Sequence, residues 1–139
     1  EARGIEFPGW IDPDRMPDFL ARAHIGLLPL VPDAENADWM RCKSPTKLFE
    51  YMAMEIPAVA SRYGEAETIV RDGEEAFLAS ERGEFAAKLA ALAGDAGLRR
   101  AMGARARRRV EERYCHRVMG DALLEAVECA AGLRGRAGG

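Results

Sequence analysis

Ser44-Pro45-Thr46-Lys47-Leu48-Phe49-Glu50-Tyr51-Met52-Ala53-Met54, followed by Pro57-Ala58-Val59-Ala60-Ser61, is the stretch on which the fold turns. The first part predicts a helix over residues 45–56, with Phe49, Met52, Ala53 and Ile56 recurring at one-face spacing. Ser44 is placed to cap it, because a serine hydroxyl accepts a backbone N–H that has no intrahelical partner. Pro45 suits the first helical position, where no N–H is missed. The amides of Thr46 and Lys47 then project from the helix start, and aligned peptide dipoles make such an end attractive to anions. Thr46, Lys47 and Glu50 share the opposite, polar face. One turn of helix therefore offers backbone donors, an ammonium and a carboxylate. A nucleoside diphosphate presents the complementary groups: phosphate oxygens, and vicinal ribose hydroxyls that a carboxylate accepts from twice. Taken alone, the same pattern also describes an ordinary capped helix with a Lys47–Glu50 surface pair, worth only ~0.3–0.5 kcal/mol.

Working outward, the pattern alternates. Short apolar runs at 4–7, 25–28, 57–60 and 76–78 read as strands. Between and after them, 14–23 carries Met16, Phe19, Leu20 and Ala23 on one helical face, and Phe85, Leu89 and Leu92 repeat that spacing. Strands alternating with helices imply βαβ units and a mostly parallel sheet. The fold class expected is thus α/β: a Rossmann-like open parallel sheet, incomplete at about four strands, with a helical C-terminal end. That end runs over 98–131, broken near Tyr114-Cys115-His116 and Gly120. A long loop is expected over 31–43, of the kind that is more often functional than idle. One domain over 1–131 and a flexible Gly/Arg tail over 132–139 complete the division.

A chain of 139 residues with 48% hydrophobic content needs no metal or disulfide staple to bury a core. A net charge of -3 gives no reason to expect nucleic acid as a partner. Cys42, Cys115 and Cys129 form no paired motif, which points to reduced thiols and a cytoplasmic setting. With His24 and His116 as the only histidines, no metal-ligand spacing emerges, and no metal or cofactor is expected.

Read together, the segments resemble the group 1 glycosyltransferases of GT-B fold. The 44–54 helix and 57–61 strand carry the resemblance, and other landmarks follow in order. Ile5-Glu6-Phe7-Pro8-Gly9 looks like the strand and glycine turn beside the nucleotide base, with Trp10 next to it. Ala23-His24-Ile25-Gly26-Leu27-Leu28-Pro29-Leu30 precedes the helix, while Gly64-Glu65-Ala66-Glu67-Thr68-Ile69-Val70 and Asp72-Gly73 follow the strand. Leu98 to Gly103, Ala106-Arg107 and Glu112-Arg113-Tyr114 resemble the closing helices, so the likeness spans residues 4–125. It implies the donor-binding half of a retaining, hexosyl-type transferase with a nucleotide-diphosphate sugar as substrate. In the family, two carboxylates separated by seven residues serve the donor. Glu50 matches the one that binds ribose, and Cys42 stands at the other, sugar-side position. Lys47 is then the cationic contact for ribose or diphosphate, with Ser44 and Thr46 at the helix start.

Two glycines usual in the family are Glu55 and Ala76 here. The resemblance also implies a partner, an acceptor-binding N-terminal domain, and upstream basic residues, neither of which is expected within residues 1–139. The fragment alone is therefore expected to be inactive. Its uncovered strand edge invites self-association, with a symmetric dimer as the simplest closed solution. The alternative function is a non-catalytic nucleotide-binding or interaction module. Residues 99–113 hold seven arginines. A solvated helix face accounts for them most simply, and peripheral contact with an anionic membrane surface is the sharper reading.

Overall fold

The computed structural model of the protein describes residues 4–32 and 35–132. Among these lie three strands, β1 (Gly26–Leu28), β2 (Ala58–Ser61) and β3 (Phe77–Ala79). They form one parallel sheet in the order β1-β2-β3, open at both edges. The register aligns Leu27 with Val59 and Val59 with Phe77, so these three side chains form a row on one face. The helices are α1 (Met16–Leu20), α2 (Ala37–Cys42), α3 (Thr46–Ala53), α4 (Ala66–Ile69), α5 (Arg82–Gly94), α6 (Ala96–Arg113) and α7 (His116–Ala130). A single 3-10 turn, Pro13–Arg15, leads into α1.

The alternation of strand side chains divides the core into two layers. On one face, Ala58, Ala60 and Leu78 pack with Leu48 and Met52 of α3, Ala66 and Ile69 of α4, and Ala106 of α6. On the other, Val59 and Ala79 meet Leu92 of α5 and Met102 of α6, with Phe85 and Leu89 against them. Helix α6 thus contributes to both layers, and its closest partner is α3. That approach depends on Gly103: a Cβ there would sit 2.8 Å from the Glu55 carbonyl carbon. Glu55 itself holds a left-handed φ of 56°, so the turn after α3 keeps a conformation that favours glycine although the residue is glutamate.

Four of the seven arginines fasten α6 to its neighbours, while Arg100, Arg108 and Arg113 are exposed, as a solvated face requires. Arg99 Nη1 donates to the carbonyls of Leu92 (2.6 Å) and Ala93 (3.0 Å) at the end of α5. Arg107 donates to the Ala53 carbonyl at the end of α3, and Arg109 to the Ile69 carbonyl at the end of α4. Arg105 Nε reaches the Glu74 carbonyl at 2.7 Å. The last carbonyls of a helix lack intrahelical partners, and a guanidinium supplies donors that also complement the negative dipole end. Glu75 is the buried charged residue of the core, 2% exposed, and Arg71 and Arg109 surround it. Burial pushes its carboxyl up, but hydrogen bonds from the Arg71 side chain and amide, with the Arg109 charge, leave it below the ordinary range.

Three expectations are corrected. The 4–7 run is not a strand: Ile5 and Phe7 are exposed at 59% and 89%. A parallel strand needs a neighbour along its edge and cover on both faces, and this segment has neither. The sheet therefore has three strands rather than about four. The 31–43 segment contains α2, so it is not a plain loop. Gly120 lies inside α7, whereas the break at Tyr114-Cys115 falls between α6 and α7 as the pattern indicated. Beyond Gly132, the Gly/Arg tail lies outside the described residues.

Candidate functional site

Helix α3 carries the candidate site. Leu48 and Met52 are buried beneath it, and Phe49 meets Tyr114 edge-on with ring centroids 5.1 Å apart. The opposite face turns outward, with Thr46 and Lys47 exposed and Glu50 half-buried. Leu48 was missed as a core position, because it sits one residue before the stripe of Phe49, Met52 and Ala53. Tyr51 fixes the helix to the sheet: its hydroxyl donates to the Leu27 carbonyl at 3.3 Å. Its ring also fills the space over Gly26, where a Cβ would lie 2.6 Å from the Tyr51 Cγ. Burial raises the Tyr51 hydroxyl pKa, the Leu27 hydrogen bond opposes this, and the nearby Glu50 charge adds to the rise.

The helix start differs from the sequence expectation. Pro45, which is buried, occupies the cap position, and no side chain caps the helix. Ser44 is exposed, and its carbonyl, rather than its hydroxyl, accepts the Thr46 amide at 2.9 Å. Leu48 donates to the Pro45 carbonyl at 2.8 Å. With φ -81° and ψ 62° at Pro45, the chain enters through a tight turn that uses the Thr46 amide itself. Thr46 thus has its amide spent, which leaves Lys47 as the charged group of this end.

Glu50 opens onto a cleft of about 370 Å³ that it shares with Gly9, Trp10, Ile11, Pro13 and Met16. Three residues singled out from sequence, Gly9, Trp10 and Glu50, therefore meet in space although 40 positions separate Trp10 from Glu50. Gly9 has φ 73°, so the turn that presents Trp10 requires a residue free of a Cβ. Trp10 is 89% exposed, so its ring is open to contact. Among the described residues, neither Glu50 nor Lys47 has an ion-pair partner, and the surface pair expected of an ordinary helix is not formed. The arrangement offers a flat apolar ring and an unpaired carboxylate across one small cleft.

Ser44, Thr46, Lys47 and Cys42 do not line this cleft. Cys42 is an exposed free thiol that ends α2. Its neighbour Arg41 lines a separate cleft of about 380 Å³ with Arg62, Tyr63, Gly64, Glu65, Glu67 and Thr68. Sequence reasoning gave these residues no role, yet Tyr63 ties the region together by donating to the Ala37 carbonyl at 2.7 Å. Lys43 Nζ lies 4.8 Å from the Trp39 ring centroid, a cation–π contact that holds Trp39 beside the helix start. Both histidines are exposed. Asp72 serves its turn: burial raises its pKa, but the Leu78 amide, Lys88 and Arg62 bring it below the ordinary value. Among the described residues, no group of three or more His, Cys, Asp or Glu is arranged to hold a metal. No described helix is long and apolar enough to cross a membrane.

A family described as glycosyl transferase-like matches residues 1–125, which covers the sheet, α3 and its cleft, α6 and most of α7. No individually curated protein matches the chain. With the match extending over all but the last 14 positions, the protein belongs to the glycosyl transferase-like family.

Proposed function

We propose that this chain binds a nucleotide-sugar donor, as the donor half of a glycosyltransferase that moves a sugar from a nucleotide diphosphate to an acceptor. Glu50 accepts from the ribose hydroxyls, Trp10 and the Gly9 turn receive the base, and Lys47 with the start of α3 faces the diphosphate. The observation that carries this reading is the unpaired, half-buried Glu50 carboxylate opening onto a cleft with Gly9 and Trp10. An acid left without a partner beside an aromatic face suits a ligand that brings its own hydroxyls and a flat ring. No residue here forms a covalent bond to the sugar. The protein lowers the barrier by holding the donor and by setting positive charge where the diphosphate departs. Transfer is of hexosyl type with retention, and the acceptor is held by a further domain.

Titration calorimetry with uridine, guanosine and adenosine diphosphates tests the donor assignment. Glu50→Gln should cost about 1.5–3 kcal/mol of binding, the range for a hydrogen bond to a charged group. Unchanged affinity in a folded variant would sink it. A second reading, a nucleotide-binding module without turnover, draws on the exposed thiol of Cys42 where the resemblance calls for a carboxylate. Sugar transfer by the protein together with its acceptor domain would exclude that module. Binding without transfer would favour it.

A further inference from the structure

Trp10 and Ile11 line a second, larger cleft of about 610 Å³ as well as the one that holds Glu50. Its charged wall comes from the 3-10 turn and α1. Arg15, Asp18 and Arg22, spaced three and four residues apart, all open onto it beside Phe19. Residues at that spacing on a helix are neighbours, and opposite charges there ordinarily pair. Among the described residues, none of the three has an ion-pair partner. Glu6 and Asp12 are the other carboxylates of the lining. Asp12 is engaged, accepting the Asp14 amide at 3.0 Å. Glu6 lies before the turn, outside any helix or strand, whereas Asp18 is carried by α1. The cleft thus flanks one uncommitted carboxylate with two uncommitted guanidiniums, next to an exposed indole. Among the described residues, no asparagine or glutamine lines it.

We propose that this cleft reads the base of the donor, and that the base is guanine. The inference rests on the nucleotide-sugar reading above and adds the base to it. Stacking on Trp10 is open to every base, so selection falls to the groups that meet the base edge. Guanine presents two adjacent donors, N1–H and the N2 amino group, which one carboxylate accepts together. It also presents O6 and N7 as adjacent acceptors, the pair to which a guanidinium donates twice. Asp18 takes the donors, and the guanidiniums of Arg15 and Arg22 on either side of it in sequence supply the acceptors' partners. The other bases lack this combination. Uracil offers a single N3–H between two carbonyl oxygens, whose lone pairs repel a carboxylate. Adenine sets its amino group beside an acceptor nitrogen, which an amide side chain matches and this lining does not. Cytosine repeats the adenine pattern, with one amino donor beside an acceptor nitrogen.

Titration calorimetry of the whole chain with guanosine, inosine, xanthosine, uridine and adenosine diphosphates tests the assignment, because ribose and diphosphate are common to all five. Guanosine diphosphate should bind at least about tenfold more tightly than the uridine or adenosine compound, the margin of one bidentate pair. Inosine diphosphate, which lacks the N2 amino group, should bind more weakly than guanosine diphosphate. Asp18→Asn should remove the advantage of guanine. It should also make xanthosine diphosphate, whose C2 carbonyl accepts from the new amide, the tighter ligand of the two. A merely weakened fold would lower every affinity alike and could not invert that order. Uridine or adenosine diphosphate binding as tightly as guanosine diphosphate would overturn the proposal. So would a guanine preference that Asp18→Asn leaves intact. Glu50→Gln on the same samples separates the two readings. If it weakens all five nucleotides while guanine has no advantage, the donor site stands and the base assignment fails. If none of the five binds, both fall.

Discussion

Gly103→Ala isolates the contact on which the two core layers depend. Helix propensity alone favours the change, since alanine in a helix interior exceeds glycine by about 0.8–1.0 kcal/mol. The structure predicts the opposite sign. A methyl group at Gly103 would lie 2.8 Å from the Glu55 carbonyl carbon, against an ordinary carbon–carbon separation of about 3.5–4.0 Å. The obstacle is backbone in a left-handed turn and has no rotamer to change. Helix α6 must therefore retreat, which loosens Met102 and Ala106, both fully buried, and draws Arg107 away from the Ala53 carbonyl. Overpacking of this kind costs about 1–3 kcal/mol or more, and the lost packing and hydrogen bond add to it, for a net loss of about 2 kcal/mol. Gly120→Ala in α7 is the control: nothing lies within 4 Å of its added methyl, so it should gain about 1 kcal/mol. Urea unfolding followed by far-ultraviolet circular dichroism measures both. A higher midpoint for Gly103→Ala, parallel to that of Gly120→Ala, would refute the close-approach reasoning.

Glu55→Gly should stabilise the fold by about 0.5–1 kcal/mol, because relief at a left-handed φ outweighs the added freedom of the unfolded chain; the same urea series reads it. The Glu75 carboxyl is held below its ordinary 4.5, so its contribution is present above that value and is lost as pH falls through the lowered one. Glu75→Gln should therefore flatten the acid limb of a stability–pH curve; an unchanged limb would contradict the assignment. Cys42→Ser should keep most of the turnover of the protein with its acceptor domain, as no histidine lies near this exposed thiol in sequence, and a loss of orders of magnitude would show otherwise. Strand β1 has one paired edge and Leu27 is 43% exposed, so sedimentation across a concentration series should reveal self-association; a strictly monomeric chain would contradict the open-edge argument.

The alternation of elements was legible because apolar periodicity records burial directly, and α3, β2 and the α6–α7 break all follow it. The helix start was not. Ser44 and Pro45 satisfy the local rules for a cap and a first turn, yet the Thr46 amide folds back to the Ser44 carbonyl and the cap passes to Pro45. Local rules rank residues one position at a time and carry no information on where the chain arrives from. The 4–7 run failed for a related reason, since strandedness belongs to a pair of segments. Of the candidate site, the meeting of Gly9, Trp10 and Glu50 was legible only through resemblance.

The arginines of α6 bear on how the molecule comes apart. A guanidinium keeps its proton at any accessible pH, and a peptide carbonyl does not titrate, so the ties to α3, α4 and α5 are indifferent to acid and base. They also make the ends of three helices hostage to one. Opening α6 releases the last carbonyls of α3, α4 and α5 together and uncovers both core layers in the same event. Amide exchange near Ala53, Ile69 and Leu92 should then share a single opening free energy with α6 rather than fray separately, making one cooperative unit of segments spread over 61 positions of sequence from Ala53 to Arg113.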